Sequence, residues 1–154
     1  MSNITATDRP TQVDVRGPRF VAWVTTAVLV GVLLISAQSP ALAAVILGCQ
    51  TLVFAIGAVA GPRRHPYGIV FAAAVAPRLG PVAQREPVAP LKFAQLVGFA
   101  FAAIGALGFA GGLVPLGLVA TGLALVAALL NAAFGICLGC RLYPLIARFT
   151  PTQK

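Results

Sequence analysis

Four runs of residues without a single charge dominate the chain: 20–37, 41–60, 93–112 and 116–136, each 18 to 21 residues long. At about 1.5 Å of rise per residue, a helix of this length crosses a hydrocarbon core about 30 Å thick. Backbone donors and acceptors find no water there, so each run has to satisfy its own polar groups by becoming helical. The apolar/polar alternation that marks a membrane-barrel strand is absent. Composition agrees, with 59% hydrophobic and 9% charged residues, where a soluble domain carries roughly 25% charge. The chain reads as an all-α integral membrane bundle of four transmembrane helices, two hairpins joined by a long loop.

A net charge of +8 would suggest nucleic acid in a soluble protein, but its placement points elsewhere. Arg9, Arg16 and Arg19 precede the first run. Arg63, Arg64, Arg78, Arg85 and Lys92 lie between the second and third, and Arg141, Arg148 and Lys154 follow the fourth. The connections at 38–40 and 113–115 carry no positive charge. All eleven Lys and Arg fall on one side, which the positive-inside rule makes cytoplasmic. The expectation is a multi-pass protein of the cell inner (plasma) membrane with both termini cytoplasmic, in contact with lipid and with no nucleic-acid partner. Basic residues, an apolar run and "SPALAA" also imitate a secretory signal cleaved at 41–43. A second apolar span follows at once, however, and cleavage would leave a chain starting inside the bilayer. "AQSP" reads better as a tight turn, with Pro40 opening the second helix.

The expected organisation is a polar, loosely ordered tail at 1–19, a four-span domain at 20–149 and a short tail at 150–154. Arg16 and Arg19 of "DVRGPRF" suit lipid phosphates. The cytoplasmic loop, 61–92, has structure of its own. "GPRRHPYG" sets the only histidine among turn-fixing Pro and Gly. "IVFAAAVAPRLGP" suits a short interfacial helix, with Phe71 towards the membrane and Arg78 towards the head groups. "VAQREPVAP" reads as extended. Hydropathy is consistent with a 2+2 repeat, but no residue identities align. Gly98, Ala102, Ala106 and Ala110 recur every four residues in the third span, as do Ala120, Ala124, Ala128 and Ala132 in the fourth. Lipid gives no hydrophobic drive for helix pairing, so such stripes are expected to face each other as a tight antiparallel pair.

No Asp, Glu, Lys or Arg lies within a run, which argues against a proton-coupled pump built on intramembrane carboxylates. The remaining polar features are Cys49 with Gln50, Gln95, Asn131 and the C-x-x-C of Cys137 and Cys140. Cys49, mid-span, is expected to be an inert thiol. Asn131 either fixes packing through an interhelical hydrogen bond, with Gln95 or Gln50, or orients a thiol or substrate. The C-x-x-C has three readings. As metal ligands, Cys137, Cys140 and His65 fall one short of a structural zinc site, and no metal is expected. As redox thiols, the two sulfurs come close enough for a transient bridge. As packing residues, they are small and readily buried. Thioredoxin-type pairs open a helix, where the dipole favours thiolate. This pair would end a long helix, where the dipole opposes thiolate and Arg141 favours it, unless Gly135 or Gly139 breaks the helix and starts a new segment through "RLYPLIARF". Redox and packing readings remain level on these residues alone.

"VDVRGPRF" before the first span, "GPRRHPYG" after the second, "PRLGP" in the loop and "NAAFGICLGCRLYP" closing the fourth together resemble a family of small, mainly actinobacterial membrane proteins, domain of unknown function 4395. The likeness runs over roughly residues 13 to 149, and the combination carries it rather than any one piece. Members tend to be encoded near thioredoxin-like proteins and sulfurtransferases. The resemblance therefore implies that Cys137 and Cys140 handle electrons or sulfane sulfur, with Arg141 favouring the thiolate. It also makes Arg63, Arg64, His65 and Tyr67 candidates for an anion or partner site, against a plain role as interfacial anchors. The leading expectation is thiol/disulfide or sulfane-sulfur exchange with a soluble partner. The alternatives are a non-enzymatic accessory subunit of a larger membrane complex, and a facilitator for a small sulfur anion. No nucleotide-binding loop is present, so no flavin or nicotinamide cofactor is expected. A quinone could lie between the helices, although no sequence feature points to one.

Overall fold

The computed structural model describes residues 11–149. Residues 1–10 of the expected 1–19 tail and the tail at 150–154, with Arg9 and Lys154, lie outside the described residues. In chain order the elements are strand β1 (Gln12–Asp14), helices α1 (Arg16–Ser36), α2 (Pro40–Ala60) and α3 (Pro66–Val70), strand β2 (Arg85–Pro87), and helices α4 (Val88–Ala110), α5 (Val114–Phe134) and α6 (Leu138–Ala147). A π turn, Phe71–Val75, and a 3-10 turn, Ala76–Arg78, prolong α3. Four of these helices are long and apolar enough to cross a membrane.

Each long helix begins and ends for a local reason. The first starts at Arg16 rather than at residue 20, because the Asp14 carboxylate accepts the Arg16 backbone N–H at 3.0 Å and its Nε at 2.9 Å. Ser39 caps α2 by accepting the Leu42 N–H at 3.2 Å, with Pro40 as the first helical residue. Helix α4 starts at Val88, directly after β2, and takes up Lys92, so the long connection shortens to 61–87. The fourth span stops at Phe134, two residues before the uncharged run ends, because Gly135 adopts a left-handed conformation with φ of +67°.

The described part of the N-terminal segment is ordered, contrary to expectation. Strand β1 pairs antiparallel with β2, Gln12 opposite Pro87 and Asp14 opposite Arg85. Val15 N–H to the Gln84 carbonyl (3.3 Å) and Val88 N–H to the Thr11 carbonyl (2.9 Å) extend this ribbon. Pairing satisfies backbone groups that two Pro-punctuated extended segments would otherwise leave to solvent.

The four long helices form an up-down-up-down ring in the order α1–α2–α4–α5, with α5 closing onto α1 and α6 folded back against α4. The most extensive contact is between α2 and α4, across the long connection, rather than within either hairpin. The core joins Leu29 and Val32 to Ala43, Leu47 and Phe54, and these to Ala102, Phe109 and Ala124. Leu34, Val59 and Leu107 point outward, 69%, 78% and 73% exposed, as side chains facing hydrocarbon do.

The small-residue stripes meet in part. Ala120, Ala124 and Ala132 of α5 are buried. On α4, Ala102 is buried and Ala110 exposed, while Gly98 faces α2, where an added Cβ would come within 2.7 Å of Phe54. The close α4–α5 approach runs instead through Gly105 and Gly108. A Cβ on Gly105 would lie 3.0 Å from Thr121 Oγ1, and one on Gly108 would lie 3.2 Å from Gly117 Cα. The reason is geometric: at about 100° per residue, a four-residue repeat drifts about 40° per step, so Gly98 and Ala110 cannot share one straight face.

Candidate functional site

The α5–α6 junction sets the C-x-x-C. Gly135 and Ile136 N–H close the end of α5 onto the carbonyls of Asn131 (3.0 Å) and Leu130 (3.1 Å). Cys137 is then extended (φ −83°, ψ 101°) and caps the start of α6, its Sγ accepting the Cys140 N–H at 3.2 Å. The two sulfurs lie at bonding distance, with Cα atoms 5.1 Å apart. Of the two placements expected, the end of a long helix is set aside and the break at Gly135 holds: Gly135 stops α5 and the pair opens α6. This reverses the sign of the dipole at the sulfur, because the N-terminal end of α6 favours negative charge.

Gly139, inside the motif, is what docks it. An added Cβ there would fall 2.6 Å from the Cα of Ala94, so α6 rests on the backbone of α4. Phe93 and Tyr143 pack beside this contact, ring centroids 6.1 Å apart. Arg141 is exposed, and its backbone N–H bonds the Cys137 carbonyl at 3.1 Å. A second arginine, read in the sequence only as a contact for lipid phosphates, reaches the junction itself. Arg19 Nη2 lies 2.7 Å from where a Gly135 Cβ would be, over the carbonyl end of α5. Its only sequence signal is an α1 that starts early enough to carry it.

Behind the pair, a cavity of about 280 Å³ opens among α1, α4, α5 and α6. Its walls are mostly apolar, and Thr25, Gln95, Asn131 and Cys137 supply its polar groups. Asn131 is not tied to Gln95 or Gln50. Its side chain has no hydrogen-bond partner among the described residues, and Gln50 instead accepts the Tyr67 hydroxyl at 2.7 Å.

The loop candidates divide between two environments. Arg63 and Arg64 are exposed, and Arg63 reaches the Gln12 carbonyl at 3.4 Å. His65 and Tyr67 turn inward, their rings 5.4 Å apart. Burial pushes the His65 imidazole down to about 4, which the neighbouring Gln95 side chain partly offsets, and burial pushes the Tyr67 hydroxyl up. Phe71 packs inside against Phe20, centroids 5.7 Å apart, rather than dipping into lipid. Arg78 turns back to the Ala74 carbonyl. Among the described residues no group of three or more His, Cys, Asp or Glu comes together, so His65 does not join the cysteines as a ligand set. Cys49 is a free, exposed thiol on α2.

A four-span helical bundle carrying one cysteine pair beside an apolar cavity that Cys137 lines defines the class of this molecule: a small multi-pass membrane protein. The model of the family described as domain of unknown function DUF4395 matches residues 13–148, and the chain belongs to that family. No curated protein and no solved structure matches it.

Proposed function

We propose that Cys137 and Cys140 form an exchangeable dithiol/disulfide couple serving a soluble thioredoxin-like protein. The observation that carries this reading is the position of Cys137 as the cap of a ten-residue helix, its sulfur receiving the Cys140 N–H while lying at bonding distance from the Cys140 sulfur. The α6 N-terminus stabilises negative charge on the Cys137 sulfur, and Arg19 and Arg141 add positive charge nearby. The Cys137 thiolate attacks a partner disulfide and one partner sulfur leaves as thiolate. Cys140 then attacks the Cys137 sulfur, forming the internal disulfide and releasing the partner as a dithiol. The steps run equally in reverse.

The test is a thiol count in native membranes: acid trapping, then labelling with a heavy maleimide before and after reduction, for wild type, Cys137→Ser and Cys140→Ser. Exchange requires both thiols to label together and to vanish reversibly on mild oxidation. Thiols that stay reduced, or that label only after unfolding, would overturn it and leave an accessory membrane subunit as the better reading.

A further inference from the structure

Four threonines lie in the long helices described here around the core, and three of them behave alike. Thr26, Thr51 and Thr121 each donate to the carbonyl four residues back, at 2.8, 2.8 and 2.7 Å, the usual way to satisfy a hydroxyl inside an apolar helix. Thr25 does not. It is 2% exposed, its Oγ1 has no partner, and it lines the cavity behind the cysteines. A buried hydroxyl without a partner costs about 1–3 kcal/mol, a cost that a ligand completing it would remove.

The rest of the cavity says what kind of ligand. Gln95 supplies an amide whose buried Oε1 has no hydrogen-bond partner, Asn131 a second amide, also without a partner among the described residues, and Cys137 a sulfur. Leu123 and Val126 of α5 and Leu138 and Leu142 of α6 line the same cavity while being exposed on the bundle surface. In a bilayer that surface faces hydrocarbon, so the way in is from the lipid, and a charged thiol or sulfur anion would meet an apolar rim. At about 280 Å³ the space suits a small ring rather than a peptide.

We infer that this cavity holds the head group of a lipid-soluble quinone, which exchanges two electrons with the Cys137–Cys140 pair. This rests on the redox reading of that pair and names its second substrate. Thr25 fits both states of such a ring, because a hydroxyl donates to the carbonyl of a quinone and accepts from the hydroxyl of a quinol. Asn131 donates to a ring oxygen. In the forward direction the Cys137 thiolate and the Cys140 thiol form the S–S bond as the Cys140 S–H breaks. Two electrons pass to the ring, and its two oxygens each take a proton, one from Cys140 and one from solvent, which had received the Cys137 proton when its thiolate formed. The net change is dithiol plus quinone to disulfide plus quinol.

The experiment uses the full chain in lipid nanodiscs with decylubiquinone as probe. Trp23, the single tryptophan, is exposed on the outward face of α1 two residues from Thr25, so quinone dissolved in the lipid quenches it linearly and the saturable component alone reports ring binding, independently of the thiols. In the Cys137→Ser/Cys140→Ser double variant, saturable quenching is expected. Thr25→Val, which removes only the unpartnered hydroxyl, should weaken that binding about three- to tenfold, as loss of one hydrogen bond does. Ala127→Phe, which fills the cavity, should abolish it. In the wild type, one quinone should be reduced per reduced cysteine pair. Quenching that does not saturate, or that Thr25→Val leaves unchanged, overturns the site. A pair that cycles with thioredoxin but leaves the quinone oxidised overturns the electron transfer while the proposed function stands. Binding without any thiol cycling overturns the proposed function and the electron transfer, with the site alone surviving.

Discussion

His65 is buried to 1% exposure, and no hydrogen bond of normal geometry reaches either ring nitrogen, although Gln95 lies against the ring. It stands at the N-cap position of α3 without a side-chain capping bond, and fills space left by Gly57, where an added Cβ would lie 2.5 Å from its Cδ2. Its folded pKa of about 4 is below the usual value of 6.5, so the unfolded chain binds the extra proton first. The stabilisation is complete above about pH 6.5 and is lost as pH falls towards 4, up to about 3 kcal/mol. Thermal unfolding in detergent should show wild type losing stability over that window, and His65→Phe should fall less. Parallel falls would refute the assignment. The sequence could not disclose this burial. "RRHPYG" reads as polar from end to end, and the room for the ring is made by a glycine on the preceding helix.

At the scale of elements, glycines decide which helices can approach. Gly139→Val should push α6 off Ala94 and raise the maleimide reactivity of the reduced cysteine pair severalfold with the bundle still folded; unchanged reactivity would show that α6 is held elsewhere. Gly105→Leu, aimed at Leu47 and Thr121, should cost about 1–3 kcal/mol of bundle stability. Leu107→Ala, on the outward face, should cost less than about 0.5 kcal/mol. Equal losses in an unfolding titration would contradict the packing of α4. The existence of the four spans was legible because lipid leaves helix as the only choice for an uncharged run. Their ends were not, because an uncharged run continues past Phe134 while the helix stops at Gly135, and α1 starts ahead of its run, at Arg16, whose N–H the Asp14 carboxylate accepts. That difference of two residues decided between the two placements the sequence left open for the cysteines, the end of one helix or the start of another.

For the whole molecule, ring closure brings the site together. The start of α1, the start of α4 and the α5–α6 junction meet at one end of the bundle, although Arg19 and Gly135 lie far apart in the chain. Period and composition describe each helix alone, so neither could show that Thr25, Asn131 and Cys137 border one space. Topology places this end with the basic connection, and on the positive-inside rule we propose that it faces the cytoplasm. A membrane-impermeant maleimide should accordingly label the reduced pair in inverted vesicles and not in spheroplasts; labelling in spheroplasts would invert the assignment. Finally, the β1–β2 ribbon joins positions as far apart as Gln12 and Pro87, leads into α1 after a single residue, and leads into α4 with none. It works as a crossbar between two posts: neither α1 nor α4 can tilt without carrying the other, so a thiol partner pressing on this end of the bundle would act on both walls of the cavity at once. During synthesis the crossbar stays open until residue 87 has emerged, and the first hairpin must wait in the membrane unbraced.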